Sequence, residues 1–152
     1  MCTRPAYGTP PCYRHPPSTP SLWWSKSVVV LGARAYLRLG NKDEEAAETA
    51  RGGLAEAKKA TTRIECHRVL GIVATRRGDA AGAEAAFNEG REEARDTGMW
   101  LLELLCARDL AHFVLEGQGR AAEGEAMIEA AAARMGKPAS DFEELLVKRR
   151  EW

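Results

Sequence analysis

Residues 69–95 read VLGIVATRRGDAAGAEAAFNEGREEAR. Two short amphipathic helices joined by a Gly78-Asp79 turn account for this pattern, with small residues where the helices must approach each other. A single pair of helices cannot cover its own apolar flanks, so such a hairpin needs packed neighbours. The rest of the chain supplies them. Past Ser25, apolar residues recur at intervals of three and four, and turn glycines fall at Gly40, Gly78 and Gly119. Ala, Glu, Arg and Leu crowd this segment and β-branched residues are scarce, which is a helix-forming composition.

The spacing predicts a first helix over 26–39, ended by Gly40-Asn41, and a partner over about 43–60 that opens on Asp43, Glu44 and Glu45. Gly52-Gly53 in its middle marks a close helix contact, a kink or a weak point costing roughly 1 kcal/mol per glycine. A second pair starts with a capping box made by Thr62 and Glu65. Its turn is Gly78, with Asp79 capping the next helix to about residue 95. Ala83, Ala86, Phe87, Gly90 and Ala94 line the inner face of that helix, and Phe87 is its large plug. A third pair opens at Met99-Trp100-Leu101-Leu102 and runs through Leu105, Leu110 and Val114. It is apolar on most sides and is expected to be the most buried helix. The chain then turns over Gly117 to Gly119 into a helix over about 120–135. A last helix, capped by Ser140 and Glu143, suits a lid on the open end of a stack, with Lys148, Arg149 and Arg150 in its final turn.

Leu70, Gly71, Gly78, Ala83 and Phe87 in the second hairpin resemble the tetratricopeptide repeat. The first hairpin is similar through Tyr36, Ala46 and Ala50, and the third through Leu115, Gly119, Gly124, Ile128 and Ala131. The family's early aromatic position holds His67, its central tyrosine-like position Ala74, and its late alanine position Gly90. The resemblance covers about three quarters of the chain, with turn glycines spaced somewhat wider than is usual for the family. It implies an all-α fold: a short α-solenoid of about three antiparallel helical hairpins with a C-terminal capping helix. The alternative is an ordinary helical bundle of Ala/Leu-rich hairpins. The third hairpin, with Trp100 and its Leu-rich helix, also looks like the last repeats of large bacterial-type signalling ATPases and cyclases. That likeness implies a regulatory fragment of a larger enzyme as the alternative function.

Residues 1–25 differ in kind. They hold six of the seven prolines, and such a stretch neither supports a helix nor buries enough surface to offset its ordering entropy. The expected organisation is therefore a disordered Pro-rich leader over 1–25, with Leu22-Trp23-Trp24 able to fold back onto the first helix, and a repeat domain over 26–152. The leader lacks the unbroken apolar core of a signal peptide, and no apolar run reaches membrane-spanning length. Cys2, Cys12 and His15 lie in it without a fourth ligand at a usual metal spacing, while Cys66 and Cys106 read as small buried apolar residues. A cytoplasmic, reduced, metal-free protein is the expectation.

Twenty-two Lys and Arg balance 22 Asp and Glu, so the chain lacks the positive field that nucleic acid or an anionic membrane would demand. Nor is there a pattern for catalysis. Cys66 and His67 are adjacent and on a helix point about 100° apart. His67 and His112 lie on separate helices as partly buried polar residues. Glu92-Glu93 and Glu143-Glu144 read as solvated helix faces, and no phosphate-binding loop or H-E-x-x-H occurs. No enzyme activity and no cofactor are expected.

In tetratricopeptide arrays the first helix of each pair lines a concave groove. The resemblance thus implies partner-binding positions at Arg34 and Arg38, at Arg68, Thr75 and Arg76, and at Asp109, Phe113 and Glu116. Arginine forks recognise carboxylates through paired hydrogen bonds, so the implied partner is a protein or an acidic peptide segment. The competing reading is that such arginines only solubilise alanine-rich helices. Val28, Val29, Leu31 and Trp23-Trp24 offer a homo-oligomer contact if the first helix is left uncovered.

Overall fold

The computed structural model describes residues 26–146, with side chains from Val29 onward. The expectations for the leader, for Trp23-Trp24 and for Lys148, Arg149 and Arg150 lie outside the described residues. Within them the chain is all-helical and holds no strand. Helix α1 spans Lys26–Leu39 and stops at Gly40, whose φ of +75° is the left-handed region that glycine enters without strain. Helix α2, Asp43–Glu56, starts with three carboxylates against its positive dipole end. It ends earlier than its sequence indicates, where Ala57 turns extended at φ −73° and ψ 122°.

That early break moves the next start. Helix α3 spans Ala60–Arg76, so Thr62 sits inside its first turn, buried, and donates its backbone N–H to the Lys59 carbonyl. No capping box forms at Thr62 and Glu65; Glu65 takes arginine partners instead. Asp79 behaves as its sequence predicts: its carboxylate accepts the Gly82 N–H at 2.9 Å and caps α4, Ala80–Asp96. Helix α5 spans Trp100–Leu110 and continues through one wide π-turn, Ala111–Leu115, and a tight turn, Glu116–Gln118, to Gly119. Helix α6 spans Ala121–Arg134. Ser140 then lies within a tight turn, Ala139–Phe142, that leads into the single turn of α7, Glu143–Leu146; Pro138 precedes that turn and no side chain caps it.

Each helix from α1 to α6 packs on the next, and α1 also meets α3, as α3 meets α5. The main core joins Leu37, Ala46, Ala50, Val69, Ile72, Phe87, Leu110 and Leu115. Phe87 is completely buried, and it can be so because α3 offers no side chain at Gly71. A Cβ there would lie 2.5 Å from the ring. Gly53 performs the same service for α2, where a Cβ would come within 2.7 Å of Cys66 Sγ, whereas Gly52 faces open space. The glycine pair therefore marks a close contact at one position and a weak point at the other, and α2 runs through both. A smaller cluster of Leu104, Ala131, Ala132 and Ala139 is covered by Phe142 and Leu146, so the C-terminal turns do roof one end. Helix α5 is buried over most of its length, but Trp100 and Leu101 open outward at its start.

Candidate functional site

Helices α1, α3 and α5 carry one continuous ionic ladder. Arg34 of α1 donates through Nη2 to Glu65 Oε2 at 2.6 Å. Glu65 also accepts from Arg68 Nη1, one turn along α3, at 3.1 Å to each carboxylate oxygen. Arg68 Nε reaches across to Asp109 Oδ2 on α5 at 2.8 Å. Asp109 Oδ1 in turn accepts from Nη2 and Nε of Arg108, at 2.7 and 3.0 Å. Arg108 Nη1 finally donates to the Leu145 carbonyl at 2.8 Å, tying α7 to the same line of charge.

Solvent is excluded from the centre of this ladder: Arg68 is 1% and Asp109 0% exposed. Isolated ions there would each cost several kcal/mol in lost hydration, roughly, and only close pairing with several hydrogen bonds offsets that. Burial alone pulls the Arg68 guanidinium down, yet the facing Asp109 and Glu65 carboxylates outweigh it and hold the group above its ordinary range. The ends differ from the centre. The Arg34 side chain keeps 30% of its surface open, and Arg38, one turn further on α1, is exposed.

Of the eight residues indicated by the sequence, Arg34, Arg68 and Asp109 are brought together, with Arg38 beside them. Arg68 and Asp109 form the floor of this face and present no open surface. Thr75 lies seven residues beyond Arg68 on the same stripe of α3, half-buried, its hydroxyl donating to the Gly71 carbonyl at 2.9 Å. Arg76 is elsewhere. It clips the end of α3 to the α1–α2 turn, donating to the Leu37 carbonyl at 2.9 Å and to Asp43 at 2.7 Å. Phe113 turns toward the core, stacked on Phe87 with ring centroids 6.4 Å apart. Glu116 stands at the helix end, 3.2 Å from His112.

Two members of the ladder were not legible. Glu65 carries a sequence signal, its i,i+3 spacing to Arg68, but the same residue also fits a capping box. Arg108 carries none, because its partner is its own sequence neighbour and its other contact, Leu145, is 37 residues away. Glu93 also departs from a solvated role: it is half-buried and accepts from Arg63 of α3.

Cys66 and Cys106 are buried, and burial pushes their thiols up to about 11 and about 12. Both therefore stay protonated and poorly nucleophilic at neutral pH. Among the described residues no cluster of His, Cys, Asp and Glu could hold a metal ion, and no helix is long and apolar enough to cross a membrane. On the other flank of the molecule a shallow cleft lies between α2, α3 and α4, floored by Leu70 and Ala74 and rimmed by Arg51 and Arg77. Both arginines already share Glu44. Comparison of the chain with protein-family models, curated proteins and solved structures finds no match. The face across α1, α3 and α5 holds two carboxylates of the chain itself, Glu65 and Asp109, among three arginines.

Proposed function

We propose that this chain is a protein-interaction module of tetratricopeptide-like design, a short stack of helical hairpins that holds an acidic peptide segment of a cytoplasmic partner against α1, α3 and α5. The observation that carries this reading is the ladder itself. Three arginines, Arg34, Arg68 and Arg108, are set in register by Glu65 and Asp109 along one side of the first helices. Arg68 and Arg108 are buried in these pairs; Arg34, at the open end, is held by Glu65, and a guanidinium fixed in this way loses little freedom when a carboxylate arrives. The order of contacts also supports the stack, since α1 meets both α2 and α3, and α3 meets both α4 and α5.

The structure changes which residues make a fair test. Arg68 holds the interior together and Arg76 holds a turn, so replacing either damages the fold. Arg34 and Arg38 are the accessible members. Fluorescence polarisation of a labelled Glu-rich decapeptide, with its Gln counterpart as control, should show binding of the acidic peptide alone. The double variant Arg34→Ala/Arg38→Ala should weaken that binding at least about tenfold, since charge-assisted hydrogen bonds contribute about 1.5–3 kcal/mol each. Equal affinity for both peptides, or an unaffected variant, would remove the groove from consideration.

A further inference from the structure

Helix α1 has a second apolar side. Its inner residues Ala33 and Leu37 are fully buried against α2 and α3. On the opposite side Leu31, Ala35 and Leu39 follow at four-residue spacing and form a line along the outside of the helix. Leu31 is 62% and Leu39 64% exposed, and Tyr36, beside them, is 37% exposed. They account for three of the five large apolar side chains left open among the described residues. Gly32, in the same stripe, has open space where a Cβ would stand. An isolated exposed leucine needs no explanation, but an apolar line from Leu31 to Leu39 along the outer side of a helix does.

Both edges of this stripe are charged, with opposite signs. Arg34 and Arg38 border it on the side of the ladder, and α1 contains no carboxylate. The other border is α2. There Ala47 and Arg51 face the cleft toward α3 and α4, which leaves Glu45, Thr49, Gly52 and Glu56, at helical spacing, on the flank next to α1's outer side. Lys42, in the turn between α1 and α2, pairs with Glu45 at 2.7 Å, which places Glu45 beside the C-terminal end of α1.

We infer that the outer face of α1 and α2 binds a second copy of this chain. The charge pattern selects the arrangement. With a two-fold axis running parallel to α1, the leucine lines meet at the centre, and the arginine edge of each copy faces the glutamate edge of the other. A two-fold axis across the helices would instead set arginine against arginine. An isologous contact of the first kind is self-complementary and closes as a dimer. The sequence ahead of α1, with six prolines among residues 1–25, is unsuited to supplying a further stacked hairpin as cover.

The size of the face sets the strength. Fourteen residues at the helical rise give a length of about 21 Å, and two helices side by side give a width of about 20 Å. That is about 400 Å² per copy, half of the about 800 Å² typical of a stable complex. Association in the range of about 10–100 µM is expected, weaker at high salt because the edges are ionic.

Sedimentation equilibrium of the full chain tests this. The wild type should pass from monomer to dimer over that range, and Leu31→Glu/Leu39→Glu should remain monomeric with unchanged helical circular dichroism, because both leucines are exposed. Arg38→Glu should weaken the dimer about tenfold, and Arg38→Glu with Glu45→Arg, which lies at the same end of the antiparallel α2, should restore it. A wild type that stays monomeric at about 500 µM overturns the inference, and protection of α1 from hydrogen exchange in that monomer would assign the face to an intrachain cover. A dimer indifferent to the leucine changes overturns it equally. Arg34 and Arg38 also border the proposed peptide face, so the leucine variant, which leaves both arginines in place, is the one that separates the two proposals: it should lose the dimer and keep peptide binding.

Discussion

A single added carbon has opposite consequences at two glycines of this chain. At Gly71 a Cβ would press to 2.5 Å on the ring of Phe87, which is completely buried and has nowhere to go. Overpacking of that kind costs about 1–3 kcal/mol, against about 1 kcal/mol gained in helix propensity. At Gly52 the same carbon meets open space, so only the propensity gain of about 0.5–1 kcal/mol operates. Urea unfolding should therefore place the midpoint of Gly71→Ala below the wild type and that of Gly52→Ala above it. Midpoints that move in the same direction would mean that Phe87 does not depend on the missing side chain. The distinction matters for the fold, because Gly71 decides how closely α4 approaches α3, whereas Gly52 decides nothing beyond its own turn.

The seam between α3 and α4 also carries a titrating group. His67 keeps 15% of its side chain exposed, and Glu89 Oε2 stands 3.2 Å from its Nδ1 at an angle that makes no hydrogen bond. Burial therefore prevails over attraction to Glu89 and Glu93, and the imidazole is held below its ordinary value of 6.5. Above pH 6.5 the ring is neutral in both the folded and the unfolded chain, and its contribution to stability is fully present. As pH falls the unfolded chain takes up the proton first, so the contribution is lost through the folded-state value and levels off below it. Between pH 7.5 and 5 the melting temperature of the wild type should fall further than that of His67→Gln; parallel melting curves would clear His67 of any role. At this scale the sequence was a good guide to helices and a poor one to their junctions. Gly40, Gly78 and Gly119 announce their turns because only glycine enters that backbone region cheaply. Ala57 announces nothing, since any residue can turn extended, and the misplaced boundary there produced the mistaken cap at Thr62. The candidate face was half legible for a related reason. Helical spacing puts Arg34, Arg68 and Asp109 on first helices, but only packing reveals that two of them lie beneath the surface.

For the molecule as a whole, the question is whether the ladder holds the pairs together or merely passes between them. It links α1, α3, α5 and the start of α7 through five side chains, and its central members have no water to fall back on. Removing one partner of such a buried pair costs about 3–5 kcal/mol, while replacing both with apolar residues of similar volume is often neutral or better. Total stability for a domain is about 5–15 kcal/mol, so Asp109→Leu alone should leave the chain barely folded, with Arg68 and Arg108 both deprived of the Asp109 carboxylate. Arg68→Met alone should be nearly as damaging, because Asp109 then keeps only Arg108. Combined in one chain, Arg68→Met and Asp109→Leu should recover part of the loss in urea unfolding, since the buried Arg108 still lacks the Asp109 carboxylate. The apolar pair would sit beside Cys106 and Ile72, while Arg34 and Glu65 still join α1 to α3. Losses that simply add would show that the two residues act separately and that apolar packing alone holds the pairs together. Recovery close to the wild type would mean that the ladder is dispensable for stability and that its charges serve something other than holding the helices together.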